Sequence, residues 1–220
     1  MRVWLADRPG ALGAVASRIG AVGGDLVGID ILERGDRRVI DELTIELPSA
    51  DLIPLMLAKV AELDAVDVED VRAVVVGLPT PNGDALEVAA DILAERTVQA
   101  LFDALVDGVR GTFGAEWAAV VDPNGPVVLA STTGSPPDAW LEAFVFGTRS
   151  AVREPGAAAA ANDVAWAGLD IAGLALLVGR TGRLFRARER RQLATLARVA
   201  DHRWRELVTR EGMRAHPARS

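Results

Sequence analysis

The chain has 220 residues, of which half are apolar and a quarter are charged, so its composition is that of a globular rather than a disordered protein. Cysteine is absent, which excludes disulfides, thiolate metal sites, iron–sulfur clusters and cysteine nucleophiles. The formal net charge of −7 disfavours nonspecific binding of nucleic acid or membranes by the chain as a whole.

The N-terminus lacks the features of a targeting segment. Asp7 interrupts it before any long apolar core, so no secretory signal is expected. No uncharged apolar run reaches the roughly 20 residues that span a bilayer. These features predict a cytoplasmic protein without a membrane partner.

The first third of the chain predicts six elements in a simple order. Apolar spacing and turn residues assign a strand at 1–6, a helix at 11–22, strands at 26–32 and 39–47, a helix capped by Ser49 or Asp51, and a strand at 66–76. The apolar face of the second helix comprises Leu52, Leu55, Met56, Val60 and Leu63. Alternation in the second strand of the hairpin slips near Asp41. The order predicts a ferredoxin-like βαββαβ domain of the α+β class, with both helices on one face of an antiparallel sheet.

Two prolines and two glycines among residues 77–84 predict a linker there. The chain therefore divides into a first domain at 1–76, a second domain at 85–211 and a frayed tail at 212–220. The second domain is predicted to contain one long helix from about Asp84 to Phe113, strands at 116–121 and 127–131, a helix at 138–150, a loop at 155–162, strands at 164–169 and 171–178, and a helix from 186 to about 207. Trp117, Trp140 and Trp166 are expected in the core.

The stretch VWLADRPGALGAVASRIGAVGGDLVGIDIL, which begins at Val3, resembles the ACT domain, a regulatory module that commonly binds amino acids. Typical members have a strand, the pattern D-R-x-G-x-L, a helix, a glycine-rich stop and a strand that opens with Asn-Ile. This chain supplies Asp7, Arg8, Pro9, Gly10, Leu12 and Gly13 in that order. The resemblance covers about the first third of the chain and implies amino-acid binding at the turn before the helix.

The turn also suits a carboxylate on physical grounds. Gly10 lets a ligand approach the backbone, and the free N–H groups and dipole of the following helix favour an anion. Asp25 stands where the family often has an Asn that accepts the ligand's ammonium, although a solvated loop position explains Asp25 equally well. Turn and packing geometry would likewise account for Gly10 and Gly13 without a ligand. The predicted ligand-binding residues are Asp7, Arg8, Pro9, Gly10, Ala11, Leu12, Gly13, Asp25, Leu26 and Val27.

The second domain has a weaker, topological resemblance to GAF-type sensor domains. It is carried by AEWAAVVDPNGPVVLAST and by IAGLALLVGRTGRLFRARERRQLATLARVADH. The cysteine that anchors a bilin in some members is absent, and so is the Asn-Lys-x-x-Asp motif of cyclic-nucleotide members. The resemblance therefore implies a GAF-like α/β sheet domain flanked by helices, with no ligand assigned.

Basic residues concentrate at the end of the chain, where residues 180–220 carry 12 basic and 4 acidic side chains. Residues 180–191 contain six Arg and one Glu, with Phe185 as their single aromatic residue and no helix-turn-helix pattern. A solvated helix face, or an acidic protein surface, explains this segment more simply than nucleic acid.

Catalytic motifs are absent from the sequence. The two histidines, His202 and His216, lie in the last helix and the tail. No P-loop, HExxH or dinucleotide-binding pattern occurs in the required context. Asp41 and Glu42 are adjacent, so on a strand they face opposite sides and cannot share one substrate. The sequence therefore predicts neither an enzyme nor a metal or cofactor.

The hypothesis that follows is a sensory or regulatory protein. An N-terminal ACT-type domain would bind an amino acid or similar zwitterion, and a homodimer would act through another protein. The alternatives are an assembly module without a ligand and a stand-alone enzyme. An ordered pocket with two or more ionisable side chains in mutual reach would favour the enzyme.

Overall fold

The computed structural model describes residues 1–73, 81–124, 128–151 and 163–215. These residues form two four-stranded sheets and six α-helices. Every strand pair is antiparallel, so the protein has the predicted α+β class. Contacts divide the chain into two compact units, one of Met1–Leu78 with Arg186–Arg188 and one of Pro79–Phe185 with Glu189–Ser220.

The first unit has its elements in the predicted order. They are β1 (Arg2–Ala6), α1 (Ala11–Gly20), β2 (Asp25–Arg34), β3 (Arg38–Glu46), a 3-10 turn (Ala50–Leu52), α2 (Ile53–Ala61) and β4 (Asp67–Asp70). The strands lie in the order β2–β3–β1–β4. Each helix therefore connects two strands that have one other strand between them. The described part of the last strand is shorter than predicted, and residues 74–76 lie outside the described residues.

The core of the first unit lies between its sheet and its two helices. Its buried members are Val3, Leu5, Val15, Ile19, Val39, Leu43, Met56 and Val60. On α2 the residues four apart, Met56 and Val60, face the sheet. Leu55, which was predicted on this face, is 48% exposed, because one residue of offset turns a side chain by about 100° around a helix.

Turn residues fix the ends of both helices. The Ser49 hydroxyl oxygen accepts a hydrogen bond from the Asp51 amide at 3.3 Å, which selects Ser49 over Asp51 as the cap. Gly23 follows α1 with φ of 76°, a left-handed conformation that favours glycine. At Gly24 a Cβ atom would lie 2.8 Å from Ile19, so only glycine lets β2 start this close to the helix.

The second unit contains the remaining elements. They are α3 (Pro81–Ala94), α4 (Val98–Thr112), β5 (Trp117–Val121), β6 (Val128–Ser131), α5 (Asp138–Ala151), β7 (Val164–Leu169), β8 (Leu174–Gly179) and α6 (Ala187–Ala215). The strand order is β6–β5–β8–β7. One face of this sheet packs on residues of α3, α4 and α6, and the other packs on α5.

Three predicted boundaries in this half were wrong. The long helix is two helices, because Thr97 adopts an extended backbone and its hydroxyl accepts from the Ala100 amide at 3.2 Å. Helix α3 already contains residues 81–84, so Asp84 does not cap it and the second half of the predicted linker is helical. Helix α6 continues to Ala215, beyond the predicted start of a frayed tail. Residues 77–80, 155–162 and 216–220 lie outside the described residues.

Only one of three tryptophans predicted in the core is fully buried. Trp117 is 8% exposed, whereas Trp140 and Trp166 are 42% and 37% exposed. Trp166 lies on β7, an edge strand with a neighbour on one side only. Trp140 lies in the first turn of α5 and stacks on Phe144 with ring centres 5.2 Å apart.

A buried arginine links the end of the second sheet to α6. The side chain of Arg180 is 1% exposed, and its Nη2 lies 2.9 and 3.0 Å from the two carboxylate oxygens of Glu189. The same guanidinium donates to the backbone carbonyls of Phe113, Arg183 and Leu184. A lysine has one ammonium and cannot reproduce this planar array of donors.

We predict that Arg180→Lys destabilises the protein by about 3 kcal/mol, because one ammonium cannot replace all the hydrogen bonds that the buried guanidinium donates to Glu189 and to three carbonyls. Urea denaturation measures this change. Arg191→Lys, at an exposed position of the same helix, is the matched control and should change stability by less than about 0.5 kcal/mol. Equal stability of Arg180→Lys and the wild type would contradict the assigned role of the network.

Candidate functional site

The turn between β1 and α1 presents unpaired backbone donors. Gly10 is the N-cap residue of α1, with φ of 85°, and it offers no side chain to the helix. The Ala11 amide donates to the carbonyl oxygen of Arg8 at 3.3 Å, and the Ala14 amide donates to the carbonyl oxygen of Gly10 at 3.0 Å. Within the described residues, the amides of Leu12 and Gly13 have no acceptor outside the helix, so they are available to an anion.

The first turn of α1 is also open to solvent. A Cβ atom built on Gly10 or Gly13 would meet no atom within 4 Å. The positive φ of Gly10 explains its residue type without a ligand. Gly13 has helical geometry and no crowding, so neither turn geometry nor packing in the described structure requires glycine there. Gly13 is therefore the residue of the turn whose missing side chain leaves room for a bound molecule.

The structure separates the predicted site residues into two groups. The Asp7 amide donates to the carbonyl oxygen of Arg37 at 2.9 Å, just before β3 begins. Asp25 pairs with Glu46, at the last residue of β3. A strand rises about 3.3 Å per residue, so the ends of the nine-residue β3 lie roughly 26 Å apart. The first group is Asp7, Arg8, Pro9, Gly10, Ala11, Leu12 and Gly13, and the second is Asp25, Leu26 and Val27.

One chain therefore cannot close both groups around one amino acid. Asp25 is exposed and lies directly opposite Glu46. Two carboxylates in this position repel each other and favour a nearby cation. The end of β2 that does approach the turn carries Arg34, which pairs with Val39 at the start of β3.

The sequence interpretation missed Asp41, a buried carboxylate on β3. Asp41 pairs with Val3 of β1 and with Ile31 of β2. Paired residues share a face of the sheet, so Asp41 points to the helix side with Val3. It is only 3% exposed, and its Oδ1 atom is buried without a hydrogen-bond partner among the described residues.

The missed signal was a carboxylate at an apolar position of the pattern. The alternation of 39–47 was interpreted as slipping near Asp41, but β1 and β3 pair without any shift from Arg2 to Ala6. The irregularity lies instead in β2, between Ile31 and Glu33. The predicted opposition of Asp41 and Glu42 is confirmed, since Glu42 lies on the other face with Arg2, 3.3 Å away.

Electrostatics connect Asp41 to the turn. Burial raises the pKa of the Asp41 carboxyl above its ordinary value of 3.8; the positive charge of Arg34 opposes this rise, and the negative charge of Asp7 adds to it. A buried carboxyl with a raised pKa is typical of a functional site. The candidate site therefore consists of the first turn of α1 with Asp7, Arg34 and Asp41.

A second concave region lies in the second unit, between α5 and the β7–β8 turn. It has a volume of about 180 Å³, and Val145, Trp166, Gly168, Asp170 and Leu174 are among its lining residues. Asp170 is the one ionisable residue among all those that line it. It does not supply the pair of ionisable groups that would favour an enzyme.

The described ranges contain no group of three His, Asp or Glu residues that could hold a metal ion. In the same ranges, no helix is both long enough and apolar enough to cross a membrane. No family model matches the sequence, and neither a curated protein nor a solved structure matches it. The ACT and GAF resemblances therefore depend on the residues and geometry of this chain alone.

We predict that Asp41→Asn makes the protein more stable at neutral pH. Because the pKa of Asp41 is raised in the folded state, the carboxyl contributes fully to stability below pH 3.8, its ordinary pKa. This contribution is lost as the pH rises through the raised pKa. Asparagine carries no charge and removes this loss. We would measure the free energy of unfolding by urea denaturation at pH values from about 3 to about 8, a range that covers the titration of a buried Asp. This free energy should depend less on pH in the variant than in the wild type.

Asp64→Asn is the control for this comparison, because Asp64 is exposed in the turn before β4. Its stability profile should follow that of the wild type. The interpretation of Asp41 fails if Asp41→Asn is less stable than the wild type at neutral pH or keeps the same pH dependence.

Proposed function

We propose that the first unit is an ACT-type regulatory module that binds an amino acid at the N-terminus of α1, and that the protein is not an enzyme. The observation that carries this proposal is the open first turn of α1, where the amides of Leu12 and Gly13 have no acceptor outside the helix. The element order and the β2–β3–β1–β4 sheet support the same module, since they fit a ferredoxin-like arrangement.

Binding at this turn follows from its donors and its charge. A ligand carboxylate would accept hydrogen bonds from the two free amides and would be stabilised by the positive end of the helix dipole. Helix α1 has no acidic residue in its first turn, so no carboxylate of its own occupies that position. The carboxylate of Asp7, which is exposed in the turn, would favour a ligand that also carries a positive charge.

The exposed edge of β2 supports a homodimer. Val27, Ile29 and Ile31 are 50%, 47% and 40% exposed along this edge strand. A second copy of β2 paired antiparallel would cover these side chains and the free backbone groups of the edge. If the pairing were centred on Ile29, Asp25 would lie opposite Glu33 of the second copy, at the end of the sheet that carries the turn. A dimer would thus bring together the two groups of predicted site residues that one chain separates.

The second unit is proposed to be a GAF-like module that shares or relays the signal. Its four-stranded sheet has helices on both faces, which supports a sensor-like architecture without assigning a ligand. In this proposal the effect of binding reaches another protein through the dimer.

The alternative candidate is an assembly module without a ligand. The exposed apolar side chains of β2 favour it, because they suit subunit pairing whether or not a ligand binds. The two candidates differ in one respect, which is whether a small molecule stabilises the folded protein.

We predict that at least one of the twenty common amino acids raises the melting temperature of the full chain. A ligand at 100 times its Kd adds about 2.7 kcal/mol of stability. Differential scanning fluorimetry with each amino acid in turn measures the shift. A panel without any shift would support the assembly module instead.

Gly13→Ala tests whether the ligand lies over the first turn. Alanine should stabilise the unliganded helix by about 0.5–1 kcal/mol, because glycine is a poor helix former. It should at the same time weaken the binding of the stabilising amino acid, since the methyl group occupies the ligand's space. Gly20→Ala in the last turn of the same helix, where a Cβ atom also meets nothing within 4 Å, is the matched control and should keep full binding. Unchanged binding by Gly13→Ala would place the ligand elsewhere.

A further inference from the structure

The cavity between α5 and the β7–β8 turn has an aromatic wall. It is lined by Trp166 of β7, Val145 of α5 and Ala175 of β8, and its volume is about 180 Å³. Trp166 pairs with Leu177, a core residue on the α5 side of the sheet, so its indole lies on that side as well. Because Trp166 is only partly buried, the indole offers an apolar surface to a ligand.

The carboxylate of Asp170 lies over the same face of β7. A Cβ atom on Gly168 would lie only 2.6 Å from Oδ1 of Asp170, so glycine at this position makes room for the carboxylate. Gly168 pairs with Ala175 of the α5-side core and follows Trp166 by two residues, which is about 7 Å along the strand. The carboxylate and the indole therefore border one cavity from the same face of β7.

The β7–β8 turn does not use the Asp170 carboxylate. An aspartate at the start of a turn commonly accepts a hydrogen bond from the amide two residues later, which here is that of Ala172. The amides of Ile171 and Ala172 donate instead to the two carboxylate oxygens of Asp201, at 2.8 and 2.9 Å. Asp201 is buried, so it holds the turn from within. The Asp170 carboxylate is exposed and makes no hydrogen bond or ion pair to any residue that the structure describes, so it is available to a ligand.

We propose that this cavity binds a small organic cation, with its charge against Asp170 and its carbon atoms against Trp166. The face of an aromatic ring attracts a cation, and a neighbouring carboxylate adds to that attraction. The same carboxylate repels anions, and a neutral apolar molecule gains nothing from it. The site lies within the second unit and needs no carboxylate on its ligand, so it is independent of amino-acid binding at α1.

The volume of the cavity limits the ligand to a few carbon atoms around the charge. Sites for drug-sized ligands enclose about 300–1,000 Å³, whereas this cavity has about 180 Å³. It is too small for a nucleotide, and it suits an alkylammonium ion. The same ammonium chemistry occurs in the headgroups of choline lipids. Because the cavity is recessed between a helix and a sheet, a free cation fits it better than a cation held at a bilayer surface.

The test compares two cations, choline and butylammonium, with two neutral analogues of similar shape, dimethylbutanol and butanol. Binding to the full chain is followed by NMR through the indole N–H signal of Trp166, which Trp166→Phe identifies by its disappearance. We expect at least one of the cations to shift this signal saturably and both alcohols to leave it unchanged at equal concentration. Phosphatidylcholine vesicles should also leave it unchanged.

Asp170→Asn keeps the size of the side chain and removes its charge. We expect it to weaken binding of the cation about tenfold, because the charge that selects the ligand is gone. Asp107→Asn is the matched control, since Asp107 is an exposed carboxylate of α4, which packs on the other face of the sheet. This control should bind the cation like the wild type. Urea denaturation of Asp170→Asn verifies that lost binding is not lost folding.

Three results would overturn the cation site. They are the absence of a shift with either cation, equal binding of the alcohols and the cations, and equal affinity of Asp170→Asn and the wild type. A shift with vesicles but with neither free cation would overturn it too and would assign the surface to lipid headgroups. Each of these results leaves the proposed function in place, because the amino-acid panel tests a different unit of the chain.

Discussion

The unshifted pairing of β1 with β3 determines what the first unit can do. Five consecutive pairs, from Arg2 with Glu42 to Ala6 with Arg38, leave no residue over which the alternation could change. Once Val3 faces the helices, Asp41 must face them too. The same pairing places the start of α1 at one end of β3 and Asp25 at the other. The position of Asp41 therefore follows from the register of β1 with β3, and that of Asp25 from the pairing of β2 with β3.

That register places a carboxylate where the fold would be more stable with an apolar residue. Neighbouring positions of the same face, Val39 and Leu43, are buried and apolar. Each apolar side chain buried there contributes about 1.5–3 kcal/mol, whereas a buried carboxyl contributes an unpaired acceptor. Departures of this kind from local consistency concentrate at functional sites.

Periodicity and turn residues were sufficient to predict the order of elements in the first unit. Glycine at positions 10, 23 and 24 marks both ends of α1, and apolar spacing marks its buried face. The break at Thr97 was not predicted, although the apolar spacing wavers there, because that irregularity was read as part of one helix; the Thr97 hydroxyl, which accepts from the Ala100 amide, marks the start of the second. Exposure of Trp166 depends on strand order, which no pattern within the chain encodes. Asp41 was missed for a different reason. It occupies a position where the alternation of the strand calls for an apolar residue, and this was interpreted as a slip of the alternation by one residue.

An acceptor on the same chain and Asp25 of a second copy make different demands on assembly. An acceptor on the same chain as the turn needs no second copy to contact a zwitterion. Asp25, with Glu46 beside it, reaches a turn only if a second copy pairs along β2. If an acceptor on the same chain holds the ammonium, affinity is independent of protein concentration. If Asp25 holds it, binding and dimerisation are linked, and each strengthens the other by the same factor. The dependence of affinity on protein concentration thus distinguishes an acceptor on the same chain from Asp25 of a second copy, independently of any substitution.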